Sequence, residues 1–200
     1  MNNDCQIFDR LAASLVHARL PWSGEGAQAG VLVALTDEPT PRVLLGRRGK
    51  HLRLHPGEIA FPGGKRERHD VSPWATALRE ADEETGIHHE DVTPLGELEP
   101  MLTSSGFEVH PCIGKIPAQL KLTIDTAEFD SVFKAPLEWF ADHKRYRLEQ
   151  MSRNGRTRMV PHYQIDKDNV WGVTAAVLAQ LANLALDAGL DLKRDWKRNP

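Results

Sequence analysis

Leu78-Arg79-Glu80-Ala81-Asp82-Glu83-Glu84-Thr85-Gly86-Ile87 carries the strongest pattern in the chain. On an α-helix Glu80, Glu83 and Glu84 stand at i, i+3 and i+4, so three carboxylates share one face. Like charges at that spacing repel. A hard divalent cation, Mg²⁺ or Mn²⁺, relieves the repulsion, because it prefers oxygen ligands and commonly takes a phosphate as a further partner. The flanking residues give this helix defined ends. Ser72 suits the N-cap, Pro73 the first turn, and Gly86 the position just past the last turn. Leu78, Ala81 and Thr85, with Ala75 and Ala77, leave small or apolar faces that can lie against a sheet.

An isolated Glu pair would read as a solvated helix face. The preceding segment changes that reading. Phe61-Pro62-Gly63-Gly64 lies just upstream, and paired glycines permit backbone geometry and close approach that side chains forbid. A Gly-rich turn followed by a triply acidic helix is an arrangement for a metal and a phosphate. With these residues in view, the sequence resembles the Nudix hydrolase family. That family's box runs Gly, five residues, Glu, seven residues, Arg-Glu, apolar, any, Glu-Glu, any, Gly, apolar. Arg79 to Ile87 match its second half at every fixed position. The first half departs: Asp70 stands where the box has Glu, and eight residues separate it from Arg79. The strict spacing lands on Val71, which cannot bind a metal.

Composition narrows the class. Two hundred residues, 40% apolar and 26% charged, suit one soluble α/β domain with a sizeable core. A net charge of −3 argues against an electrostatically driven nucleic-acid binder. Cys5 and Cys112 are the two cysteines, too few for a disulfide framework or a zinc site, so a reducing cytoplasm is the expected home. The polar start Met1-Asn2-Asn3-Asp4 does not resemble a signal peptide, and no apolar run approaches the roughly 20 residues that span a membrane.

Reading outward, Ile7, Leu11, Leu15 and Ala18 recur at helical spacing and predict a helix over about residues 1–22. Ala29 to Leu35 reads as a strand buried on both faces, and Val43-Leu44-Leu45 as its antiparallel partner across Glu38-Pro39-Thr40-Pro41. Glu97 to Thr103 and Val109 to Ile116 read as strands, and Val132 to Leu137 as a strand running into a short helix at Trp139-Phe140. Tyr146–Met151 and Thr157–Ile165 pair around Asn154-Gly155. A last helix is expected over about 170–189 and a basic tail over 193–200.

Between the first two strands and the glycines, Arg47 to His55 carries arginines, a lysine and two histidines. Singly they read as a solvated loop; together they suit phosphate oxygens, which arginine forks match bidentately. The segment is similar to the signature of the coenzyme A pyrophosphatase branch of the Nudix family. Leu44, Leu45, Arg48, Arg53, Gly57 and Phe61 to Gly64 fall in register with that signature; Gly46 and Gly49 replace its threonine and serine, and Ile59 its valine. A longer loop before the box arginine recurs in this branch, which accommodates Asp70. Trp171-Gly172-Val173-Thr174-Ala175 resembles another element of the same branch.

The resemblance implies an α/β/α sandwich with a mixed β-sheet and a strand-loop-helix-loop box over about 63–87, in one Nudix domain covering 1–200. It implies hydrolysis of coenzyme A at its diphosphate bridge with Mg²⁺ or Mn²⁺, giving 4′-phosphopantetheine and adenosine 3′,5′-bisphosphate. Glu80 and Glu84 are the expected metal ligands, and Glu83 a ligand or a group that orients water. Arg79 is expected to hold a box carboxylate in place. Arg48, Arg53, Gly63 and Gly64 are the expected substrate contacts. Glu128, or less favourably Glu108, is the match for the family's additional acid and the expected general base, a box carboxylate being the alternative. The expected partner is a small molecule, with neither nucleic acid nor membrane, and the sequence leaves a monomer or a homodimer open. Another nucleoside diphosphate derivative, such as ADP-ribose or a dinucleotide, is the alternative substrate. A non-catalytic binding module is disfavoured, because such modules typically lose box acids and all three acids of the box helix are present.

Overall fold

Strand alternation sorts the apolar residues of the chain into two layers, one on each side of a central sheet. A computed structural model describes residues 3–16, 21–23, 26–103, 105–153 and 156–192. In chain order the elements are α1 (Asn3–Ser14), β1 (Gln28–Asp37), β2 (Arg42–Arg48), β3 (Ile59–Ala60), β4 (Gly63–Lys65) and α2 (Pro73–Thr85). They continue with β5 (Thr93–Glu97), β6 (Met101–Leu102), β7 (Glu108–Pro117), β8 (Phe129–Pro136), β9 (Tyr146–Arg153), β10 (Arg156–Ile165), β11 (Asp168–Trp171) and α3 (Gly172–Leu186). Short 3₁₀ turns occupy His89–Asp91 and Leu137–Ala141.

The main sheet runs β3-β2-β1-β7-β5, with β4 on β1, β6 on β7 and β8 on β2. Its centre is parallel: β1 and β7 pair from Gln28↔Glu108 to Asp37↔Pro117. The other pairings in it are antiparallel, so the sheet is mixed. β9, β10 and β11 form a second, antiparallel sheet. Leu32, Ala34, Leu44 and Cys112 face one side and pack with Trp74, Ala77 and Ala81 of α2. Val33, Leu35, Val43, Leu45 and Ile113 face the other, against Leu11 of α1 and Val177, Leu178 and Leu181 of α3. This is the expected α/β/α sandwich.

α2 has the ends its sequence demands. Ser72 Oγ accepts from the Ala75 N–H at 3.2 Å. At the other end Gly86 takes φ 68°, and its N–H and that of Ile87 reach back to the Asp82 and Ala81 carbonyls. Several boundaries differ from expectation. α1 stops at Ser14, and Val16 instead exchanges backbone hydrogen bonds with Glu97; residues 17–20 lie outside the described residues. The stretch 97–103 is split, because residues 98–100 leave the sheet between β5 and β6. Gly63-Gly64 is not a turn but part of β4, paired with Val31 and Gly30. Val170-Trp171 belongs to β11 rather than α3, the chain turning at Gly172 (φ 68°), and α3 ends at Leu186. The Asn154-Gly155 turn and the 193–200 tail lie outside the described residues, although β9 and β10 pair as expected.

Ala81 is fully buried where α2 meets the sheet. Ala81→Leu forces extra volume into that contact and is expected to cost about 1–3 kcal/mol in urea unfolding.

Candidate active site

The site is built on the outer face of α2. Asp70, in the loop after β4, is 4% exposed and anchors it. Its carboxylate accepts from Arg79 Nε at 3.2 Å and Nη2 at 3.0 Å, from Thr76 Oγ1 at 2.8 Å and from the Glu67 N–H at 2.8 Å. Burial pushes the Asp70 carboxyl up, but the Arg79, Glu67 and Thr76 donors outweigh it and hold it down at about 2. Asp70 is thus spent on the arginine and does not serve as a free acidic residue at the site. The Arg79 hydrogen bond to Asp70 keeps that guanidinium charged; its Nη2 also meets Glu80 at 3.0 Å, and its Nη1 reaches Glu83 at 3.1 Å. The arginine therefore contacts two of the box carboxylates as well as Asp70.

Glu84 is 4% exposed and accepts the Gly63 N–H at 2.8 Å, which ties α2 to β4. Burial pushes its carboxyl up to about 8; the Gly63 N–H and Arg48 pull it down, while Glu80 and Glu128 add to the rise. Glu80 is raised too, chiefly by burial and against the pull of Arg79. Gly64 leaves room for the Glu80 carboxylate, which a Cβ there would push aside. Glu83, with a side chain 60% exposed, sits at the rim.

The opposite wall comes from the segment before β8. Thr123 and Asp125 donate backbone N–H groups to the Thr85 and Glu84 carbonyls, each at 3.0 Å, which docks this segment on the end of α2. Asp125 and Glu128 then face Glu80, Glu83 and Glu84 across a cleft of about 630 Å³ that Glu67 also lines. Its cationic lining is Arg48, Lys65 and Arg66. Arg48 Nη2 lies 3.5 Å from Glu128 Oε2, while its buried Nε has no hydrogen-bond partner among the described residues.

The structure therefore gathers Arg48, Gly63, Gly64, Glu80, Glu83, Glu84 and Glu128 around one cleft, with Arg79 behind the carboxylates. Arg53 is elsewhere, on an exposed part of the β2–β3 loop. Glu108 also lies outside the lining and pairs with His110 at 3.0 Å. Arg47 points away and grips Asp168 of β11 with two hydrogen bonds of 2.6 Å. Asp125, Lys65 and Arg66 were not singled out by sequence reasoning; the last two directly follow the glycine pair, the signal that could have found them. Among the described residues, no three His, Cys, Asp or Glu side chains converge as a ready metal cage. The oxygens are held instead by Arg79 and the Gly63 N–H.

The model of the NUDIX domain matches residues 26–154, which hold the whole arrangement. The chain belongs to the Nudix family. The uncharacterized Nudix hydrolase NudL of Photorhabdus laumondii is 39% identical over 160 residues, spanning 80% of this chain and 86% of that one. The uncharacterized NudL of Yersinia pestis is 37% identical over 161 residues, 80% of this chain and 81% of its own. A MutT/nudix family protein of Enterococcus faecalis shares the fold with a TM-score of 0.52 at 18% identity, over 85% of this chain and 66% of that one. The protein is thus a Nudix hydrolase acting on a diphosphate substrate, in a family that generally uses divalent metals. Among the described residues, no helix is long and apolar enough to cross a membrane.

Two outcomes test these electrostatics. Asp70→Asn strips Arg79 of its buried counter-charge and is expected to cost about 3 kcal/mol at pH 7. Because the folded carboxyl is depressed, its contribution is full above the unfolded value near 4 and is lost as pH falls towards 2, so the deficit should shrink in acid unfolding series. Glu84 has the opposite sign: its raised carboxyl costs stability as pH climbs from about 4.5 to about 8. Glu84→Gln should therefore raise the melting temperature of metal-free protein at pH 8 by several degrees, each 1 kcal/mol being worth about 2–4 °C. No such gain is expected at pH 5.

Proposed function

We propose that this chain is a divalent-cation-dependent diphosphatase whose substrate is coenzyme A or a close derivative. One observation carries the reading: Arg48, whose buried Nε–H has no hydrogen-bond partner among the described residues, helps to line a cleft of six acidic and three basic side chains. A diphosphate entering such a cleft is repelled unless further positive charge arrives with it. The donor set is all carboxylate, which fits Mg²⁺ or Mn²⁺ and not a soft metal. Glu80 and Glu84 are the proposed ligands, with Glu83 as ligand or water-orienting group. When bound, the cation supplies charge neutralisation and a lowered pKa for water.

The chain's own residues then divide the remaining work. Arg48 donates to a phosphate oxygen with the guanidinium edge that Glu128 leaves unused. Lys65 and Arg66 receive the rest of the anion on the far wall. Glu128, facing Glu84 across the cleft, accepts a proton from the attacking water. The hydroxyl adds to one phosphorus, the bridging P–O bond breaks, and the departing phosphate oxygen keeps the electron pair. Arg79 and Asp70 keep the carboxylates in place throughout. The coenzyme A assignment rests on the signature around Arg48 and the Trp171–Ala175 element. Supporting it, the Arg47–Asp168 pair joins those two segments through β2 and β11.

Coenzyme A, its 3′-dephospho form and ADP-ribose should be compared with Mg²⁺ and with Mn²⁺, identifying products. The expected result is 4′-phosphopantetheine and adenosine 3′,5′-bisphosphate from coenzyme A; much faster cleavage of ADP-ribose overturns the assignment. Glu84→Gln should lower turnover by about 100-fold or more. Arg48→Lys should lower kcat/KM by about 10-fold or more, since a point charge does not replace a guanidinium fork. Glu128→Gln should reduce kcat at unchanged metal affinity, and Glu108→Gln should do less. The reverse ranking would transfer the base to Glu108.

A further inference from the structure

Gly46 and Gly49 are the two places where this chain replaces the hydroxyl residues of the coenzyme A signature, and aromatic rings occupy the space they leave. A Cβ on Gly46 would stand 2.3 Å from Phe129 Cε1, and one on Gly49 would stand 2.4 Å from His51 Cε1. Both rings bear on the same turn of the opposite wall. Phe129 is part of it, and the His51 Nε2–H donates to the Ala127 carbonyl at 2.9 Å. A carbonyl only accepts, so the imidazole proton must sit on Nε2. Between these contacts the Gly49 N–H donates to the Glu128 carbonyl at 2.9 Å, and the Lys50 N–H to Asp130 Oδ2 at 3.3 Å. The three consecutive residues Ala127, Glu128 and Phe129 are each held by the strand and loop that carry Arg48.

We infer that His51 is a positioning residue for the cleft. Its ring, lodged over Gly49, clamps the Ala127–Phe129 turn and thereby fixes the Glu128 carboxylate against Arg48. His51 is exposed and does not line the cleft, so it acts through Glu128 and touches no substrate. The glycine at 49 and the histidine at 51 form one unit: the ring fits only because residue 49 has no side chain. This inference rests on the proposed roles of Arg48 and Glu128.

The test is a double-mutant cycle. His51→Ala should lower kcat on coenzyme A by about 5–10-fold, with KM within about 2-fold and the urea midpoint unchanged. His51→Gln, which keeps a side-chain N–H donor, should recover most of the loss. Gly49→Ala should reproduce the loss, because its methyl group expels the ring; Gly49 has no positive φ, so alanine brings no backbone strain of its own. The double variant should then be no worse than either single one, whereas multiplied losses would mean independent sites and overturn the clamp. Amide hydrogen exchange supplies a readout apart from turnover: the Gly49 and Glu128 N–H groups should exchange faster in His51→Ala. If the wild type cleaves neither coenzyme A nor ADP-ribose, the functional reading fails, and exchange still decides the clamp. Unchanged exchange, or a loss confined to KM, overturns it.

Discussion

A glutamate side chain almost wholly removed from water accepts a backbone N–H from the sheet, and the rest of the site is arranged around that contact. Glu84 joins α2 to Gly63 and is the point where the acidic helix is fastened to the sheet. Burying a carboxylate is costly unless charge or hydrogen bonds compensate. Here one N–H and a neighbouring arginine compensate in part, and the carboxyl stays well above its ordinary range. The cleft therefore stores an unmet demand for positive charge beside a wall that presents more acids of its own. The fold supports this poorly solvated arrangement by packing Trp74, Ala77 and Ala81 beneath it.

Arg79 is the counterweight. It holds Asp70 on one side and Glu80 and Glu83 on the other, so one planar cation orients carboxylates from a loop and two turns of the helix. Asp70 makes this rigid because it is itself fixed by Thr76 and the Glu67 N–H. The effect is to separate two kinds of acid within a short stretch of chain. One is held ionised by its donors and spent on structure; the others line the cleft.

The helical triad was legible because 3.6-residue spacing and the caps Ser72 and Gly86 are local properties of the chain. The two-layer packing was legible for a similar reason, since apolar runs such as Leu32 to Leu35 serve both faces. The duty of Asp70 was not, because it depends on a loop folding back over nine positions to meet Arg79. Arg47 and Arg48 are neighbours with similar chemistry, yet strand geometry sends one to Asp168 and the other into the cleft. The glycine pair at 63 and 64 read as a turn from composition; the close approach of Glu80 accounts for Gly64 within a strand. Asp125 and Glu128 reach the site only through the docking of their segment on the end of α2, a contact between distant parts of the chain.

The two apolar layers on either side of the sheet share strands but not side chains, and they differ greatly in size. The larger, under α1 and α3, contains no residue of the cleft. Drift in sequence there can be absorbed by repacking without replacing a side chain that lines the cleft. The smaller layer has no such freedom, because its helix carries the acids. Lineages descended from this architecture should therefore diverge quickly on one side of the sheet and slowly on the other, so that the molecule has one face open to variation and one held to its chemistry.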